Sequence, residues 1–366
     1  MTAVTQQLTD AGVSIWLDDL DRSRITSGNL AELIATLNVR GVTTNPSIFE
    51  KAITSGSDAY AAQLATLKGA SVDDVVLALT TEDVRNACDI FAPLAKSSDG
   101  VDGHVSIEVD PRLAHDTQGT IDAARTLWRT VDRPNVLIKI PATKEGLPAI
   151  ATVLGEGISV NVTLIFSVDR YREVLEAWMS GLEAAHAAGH DISKIHSVAS
   201  FFVSRVDVAV DPRLDAIGTT EAVALQGRAA IANARQAWAA FGETASSQRV
   251  AQLRAKGAHV QRPLWASTGV KDPKFDPTMY VTQLVGDPCV NTMPEATLNA
   301  VRDQGVFAGD TLDGTLAGAN AVWRDLAALG IDQAEVCEQL ETEGVAKFME
   351  AWQTLLDNVA RTLDAS

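Results

Sequence analysis

The sequence predicts an α/β protein, a (β/α)8 TIM barrel with additional helices and a long C-terminal helix. Three observations predict it. Short apolar runs, many rich in Val and Ile, alternate with helical patterns along the chain. Eight such runs can be counted, at 13–18, 41–47, 105–110, 136–143, 159–166, 195–203, 260–267 and part of 280–293. The length, 366 residues, suits a barrel with insertions, because barrels run past about 250 residues as one unit. A doubly wound sheet is the competing reading of the same alternation.

Each element has a local reason. The runs are apolar on both faces, as strands covered by helices must be. Ser27 is placed to cap a helix carrying Leu30, Leu33, Ile34 and Leu37, with Gly41 ending it. Ser167 is placed to cap another, with Tyr171, Val174, Leu175, Trp178 and Leu182 on one face. Leu340, Val345, Phe348, Trp352, Leu355, Leu356, Val359 and Leu363 recur at helical spacing and predict the final helix, expected on the outside of the domain. The gaps at 48–104 and 206–258 read as insertions within a single domain spanning 1–366.

Composition narrows the function. Forty-seven acidic against 30 basic residues leave a net charge of −17. That balance disfavours nucleic acid and anionic membrane surfaces. Small anions stay open, since a local cationic cluster overrides the global sign. No apolar run approaches the ~18 residues of a membrane span, and the first twelve residues lack a signal peptide's charge and apolar core. Cys88, Cys289 and Cys337 lie far apart, which argues against disulfides and zinc and for a reducing, cytoplasmic setting. Phosphate-loop, dinucleotide, nucleophile-elbow and HExxH motifs are absent. His186 and His190 have metal-ligand spacing, but Gly189 between them marks a helix end, so they read as surface histidines and no metal is expected.

The chemistry concentrates at strand ends. Lys139 stands inside the apolar run Val136-Leu137-Ile138-Lys139-Ile140-Pro141. A buried lysine needs a partner or a purpose. One reading is a lysine paired with a carboxylate at the barrel mouth. The other is an amine nucleophile that forms an imine with a carbonyl substrate. A free lysine is neutral in only roughly one molecule in 2500 at pH 7, and moving its pKa to about 7 costs about 4 to 5 kcal/mol. Other strands add Asp18, Asn45, Glu108, Asn161 with Thr163, and Ser200 with Phe202 and Arg205. Several strands that each project a polar group toward one axis describe a polar cavity, which in a barrel opens at the strands' C-terminal ends.

These residues resemble the transaldolase family over nearly the whole chain. The resemblance rests on Trp16-Leu17-Asp18-Asp19-Leu20, Thr43-Thr44-Asn45-Pro46-Ser47, Ser106-Ile107-Glu108-Val109-Asp110, Leu137-Ile138-Lys139-Ile140-Pro141-Ala142-Thr143 and Asn161-Val162-Thr163-Leu164, in that order. Trp265-Ala266-Ser267-Thr268-Gly269-Val270-Lys271 resembles the longer bacterial branch. The resemblance implies transfer of a dihydroxyacetone unit from sedoheptulose 7-phosphate to glyceraldehyde 3-phosphate, in the non-oxidative pentose phosphate pathway. It implies no cofactor, because the lysine imine is itself the electron sink. Lys139 would be the Schiff-base nucleophile and Asp18 the base at the C4 hydroxyl. Glu108 and Thr163 would hold a proton-shuttling water. A Glu108 carboxylate beside Lys139 opposes the need for a free amine, unless Glu108 is protonated or separated by water. Asn45, Asn161, Ser200 and Phe202 would surround the sugar, and Arg205 would bind phosphate bidentately. Much of the family carries a second Arg after the seventh strand. This chain offers Lys271 there, with Arg262 as the other candidate. Asp19 and Asp21 are expected to be solvated or capping.

Two other readings remain at this level. One is a related lysine aldolase that releases free dihydroxyacetone. The other is a non-catalytic sugar-phosphate-binding barrel, which would keep Arg205 and Lys271 without a reactive lysine. The sequence also admits a homo-oligomer.

Overall fold

A computed structural model describes residues 3–364; the outermost residues of the expected 1–366 unit lie outside the described residues. Eight parallel strands close into a barrel in sequence order. They are β1 (Val13–Leu17), β2 (Val39–Val42), β3 (His104–Glu108), β4 (Val136–Pro141), β5 (Val160–Ile165), β6 (Ser197–Phe202), β7 (Arg262–Ala266) and β8 (Cys289–Met293). This is the predicted (β/α)8 barrel with extra helices, and the doubly wound alternative falls because β8 pairs back onto β1. Helices Pro46–Ser55, Ser57–Thr66 and Val72–Ser97 lie between β2 and β3. Helices Ser204–Ile217, Thr220–Leu225, Ala229–Ala245 and Gln248–Ala255 lie between β6 and β7.

Register decides which side chains share the barrel interior. Glu108 is level with Lys139, Lys139 with Asn161, and Pro141 with Thr163. Side chains on paired positions of neighbouring strands point to one face. Glu108, Lys139, Asn161 and Thr163 therefore share the interior face at its C-terminal end. Lower in the barrel, Trp16 is level with Gly41 and fully buried. A Cβ on Gly41 would lie 2.5 Å from the Trp16 indole and 2.8 Å from the His104 carbonyl. Glycine is there because the indole fills the interior.

That packing corrects two expectations. Gly41 lies inside β2 and does not end the preceding helix. That helix, Asn29–Leu37, ends at Asn38 in the left-handed conformation. Its N-cap is Gly28, while Ser27 closes the short helix Arg22–Thr26. Thr43-Thr44-Asn45 thus follow the strand, and Asn45 caps the next helix. Ser167 caps helix Val168–Ala187 as expected, its hydroxyl accepting from Arg170 N at 3.0 Å.

The C-terminal helix, Gln333–Asp364, also departs from expectation. It packs on helices Pro46–Ser55, Val72–Ser97 and Ser204–Ile217 and reaches β5. It crosses the C-terminal mouth of the barrel and is not confined to the periphery. Its spacing made one face apolar, but a periodic stripe does not specify its partner.

Candidate active site

Lys139 is 4% exposed, and its Nζ lies 3.2 Å from Glu108 Oε2. The same Nζ donates to the Thr44 carbonyl at 3.0 Å. The Thr44 carbonyl is available because the chain has left β2 there and turns into the next helix. Thr44 Oγ1 ties that turn to β3 by donating to the Ser106 carbonyl at 2.7 Å. Burial pushes the Glu108 carboxyl up to about 7, against the lowering pull of Lys139. At neutral pH Glu108 therefore exchanges its proton readily and is not a fixed anion, which relieves the conflict with the amine.

Asp18 follows β1 and lies at the mouth. Its Oδ1 accepts from Thr43 Oγ1 at 2.7 Å, and that hydroxyl is 2.6 Å from Thr292 Oγ1. Desolvation raises the Asp18 carboxyl above its ordinary value, with Lys139 and Thr43 opposing the shift. Asp21 caps helix Arg22–Thr26 as expected, whereas Asp19 is neither solvated nor capping but pairs with Arg24 at 2.8 Å.

Thr163 is fully buried, and its hydroxyl has no hydrogen-bond partner among the described residues. The β5–β6 pairing shifts between Val162 and Ile165, and Leu164 between them has φ 59°. A γ-branched residue in the left-handed region is strained, and such strain clusters at functional sites. Next to Lys139, Asn161 Nδ2 donates to Ser106 Oγ at 2.9 Å, and Ser200 Oγ donates to Asn161 Oδ1 at 2.7 Å. This chain locks the amide orientation across three strands. Asn45 accepts from Ile48 N at 3.0 Å through Oδ1, so only its NH2 faces outward from the cap.

Arg205 lies in the first turn of helix Ser204–Ile217. Its Cζ is 5.0 Å from the Phe202 ring centroid, and its buried Nη1 has no hydrogen-bond partner among the described residues. An aromatic face holds the guanidinium while leaving its donors unused. The helix N-terminus adds partial positive charge at the same place.

The remaining candidates divide. Lys271 is exposed on the stretch after β7, in a separate surface cavity of about 230 Å³ with Ser204, Asp207 and Tyr280. Arg262 is the first residue of β7 and so stands at the opposite end of the barrel from Lys139. It donates to Ser14 Oγ at 2.7 Å and lies 3.4 Å from Asp102. Its role as a phosphate ligand of this site is therefore excluded by position. His186 and His190 are both exposed, and no group of three or more acidic, His or Cys residues is arranged for a metal among the described residues.

Sequence reasoning missed two contributors. Thr44 acts through its carbonyl, which no side-chain motif reveals. Phe348, on the C-terminal helix, places its ring centroid 5.5 Å from Lys139 Nζ and 5.9 Å from Arg205 Cζ. It was visible only as one apolar position in a helical stripe.

Residues 15–359 match the model of the family described as Transaldolase/Fructose-6-phosphate aldolase. A transaldolase of Mycolicibacterium smegmatis is 60% identical over 361 residues, covering 98% of this chain and 97% of that one. A transaldolase of Mycobacterium bovis BCG Pasteur is 59% identical over 362 residues, with 98% and 97% covered. A transaldolase of Mycobacterium ulcerans is 60% identical over 361 residues, with 98% and 96% covered.

Proposed function

This chain belongs to the transaldolase/fructose-6-phosphate aldolase family, and we propose that its transaldolase activity runs through a Schiff base on Lys139. It transfers a dihydroxyacetone unit from sedoheptulose 7-phosphate to glyceraldehyde 3-phosphate, giving erythrose 4-phosphate and fructose 6-phosphate. One observation carries the site assignment: a lysine buried in a barrel strand has its amine 3.2 Å from a carboxyl that titrates near neutrality.

Lys139 Nζ attacks the donor ketone at C2 to give a carbinolamine. Glu108, through a water held with Thr163, supplies the proton that lets hydroxide depart as water, leaving an iminium. Asp18 takes the C4 hydroxyl proton, the C3–C4 bond breaks, and its electron pair passes into the iminium to form an enamine. The first aldehyde leaves. The enamine carbon then bonds the acceptor's carbonyl carbon, and Asp18 returns its proton to the new alkoxide. Water, activated by Glu108, hydrolyses the iminium and frees the amine.

Asn161 and Ser200 hold the three-carbon unit by their fixed orientation, with the Asn45 amide at the rim. Phe202 supports Arg205, which binds the phosphate; Lys271, in its separate surface cavity, is the second cation by charge and draws anions toward the mouth without a contact in this site. The chain acts as one catalytic domain in the cytoplasm, a reading supported by three free, buried cysteines.

The test is incubation with fructose 6-phosphate, borohydride reduction and peptide mass mapping. The three-carbon adduct is expected on Lys139 and absent from Lys139→Met. An adduct elsewhere, or none, overturns the mechanism. Release of free dihydroxyacetone from fructose 6-phosphate alone, as fast as transfer, would favour the aldolase reading instead.

A further inference from the structure

The reactive lysine is covered by a residue from the far end of the chain. The C-terminal helix approaches the mouth so closely that a Cβ on Gly344 would come 3.1 Å from a Leu164 methyl carbon and 3.4 Å from the Phe166 ring. One turn later Phe348, 5% exposed, sets its ring beside both Lys139 and Arg205. Four residues on, and so on the same helix face, Trp352 lines a cavity of about 340 Å³ together with Asn45 and Glu108. One helix thus brings Phe348 beside Lys139 and Trp352 into a neighbouring cavity that touches Asn45 and Glu108. No barrel strand supplies either of them.

We propose that Phe348 is a specificity-determining residue that keeps solvent from the three-carbon adduct after the first aldehyde has left. The proposal rests on the Schiff-base reading above. The adduct at that moment is an enamine with two fates. In transfer, its nucleophilic carbon bonds the acceptor's carbonyl carbon. In the competing branch, the same carbon takes a proton from solvent and becomes an iminium carbon's neighbour. Water then adds at C2, the C2–N bond breaks with proton transfer to nitrogen, and free dihydroxyacetone leaves with the Lys139 amine restored. Neither branch needs an oxidant or reductant. Both branches end in hydrolysis by one water, and the proton taken up at carbon is returned when the neutral amine is freed; only the losing branch draws that carbon proton from solvent, so the ratio of the two reports solvent access to the adduct at Lys139.

A buried phenyl ring suits that role. It offers no hydrogen bond to a water, and a water without partners beside it is unfavourable. Its face also favours a cation at nitrogen. A leucine keeps the apolar cover but not the aromatic face, so substitution separates the two effects.

The experiment compares Phe348→Leu, Phe348→Val and Phe348→Ala in the full chain. Fructose 6-phosphate is supplied alone and with erythrose 4-phosphate, and dihydroxyacetone released per transfer turnover is measured. Borohydride labelling of Lys139 is recorded for each variant. The expected ratio rises as the side chain shrinks, little for leucine and by at least about tenfold for alanine, the low end of what a single missing methylene is worth in an apolar pocket. A merely structural role would slow both branches together and leave the ratio flat. A flat ratio with Lys139 still labelled overturns the proposal, as does a leucine variant as leaky as alanine. Leucine and valine keep the test decisive if the alanine variant does not fold. Missing label in the unmodified protein would overturn the Schiff-base reading itself, a different failure.

Discussion

Glu108 is the partner of Lys139 and, in the proposed mechanism, also its proton carrier. Its carboxyl lies 3.2 Å from Lys139 Nζ, yet Oε2 accepts no well-formed hydrogen bond. Glu108→Gln keeps the volume and removes the titratable proton. Trapping of the Lys139 adduct, followed by rapid quench, should slow by about 10²- to 10⁴-fold, the range of general acid–base catalysis. Burial has raised Glu108 to about 7, so its basic form is lost as pH falls through about 7. The hydrolytic step in the unmodified protein should fall on that acid side, and the break should vanish in Glu108→Gln. An unchanged trapping rate would remove Glu108 from the water shuttle. Lys139, Asp18, Glu108, Asn161 and Thr163 were legible in the sequence because each is a polar residue where an apolar strand needs none. Arg262 was legible as a cation but not by position. The first and last residues of a strand look alike in sequence, although they face opposite ends of the barrel.

At the scale of elements, β2 is where local reading and packing diverge. A glycine after a helical stripe reads as a helix stop, and Thr-Thr after it reads as strand. In the fold Gly41 is a strand residue whose missing Cβ admits the Trp16 indole, and the threonines belong to the turn that feeds Lys139 and Asp18. Gly41→Ala places a methyl 2.5 Å from an indole carbon and 2.8 Å from a carbonyl oxygen. Overpacking of this kind costs typically about 1–3 kcal/mol. The urea midpoint should fall accordingly, and Trp16 fluorescence should shift with it. A midpoint equal to the unmodified protein's would mean that the indole yields freely. The eight strands themselves were legible because both barrel faces demand apolar residues. The placement of the final helix was not, since it depends on the shape of a mouth assembled from strands distant in sequence.

Across the whole molecule the two barrel ends divide the work. The proposed chemistry occupies the C-terminal end, where few cations would face anionic substrates in a chain of net charge −17. The other end holds Arg262, Ser14 and His104, with His104, His196 and His259 stacked at centroid spacings of 4.9 and 4.7 Å. His104 donates from Nε2 to the Gly100 carbonyl at 2.6 Å. Burial first, then the Arg262 charge, hold its pKa down at about 4, against an ordinary 6.5. The unfolded chain therefore takes up the proton first as pH falls. Stability from the neutral ring is intact above about 6.5 and declines toward pH 4, by on the order of 3 kcal/mol. His104→Gln should narrow the difference between urea midpoints at pH 7 and pH 5; an equal difference would show that His104 is not the group involved. The covering helix has one further consequence, for synthesis. Lys139 leaves the ribosome long before Phe348, so a nascent chain can form barrel strands while its amine is still bare. The cover over Lys139 is completed only once Phe348 has been synthesised, and a truncation that removes Phe348 removes it.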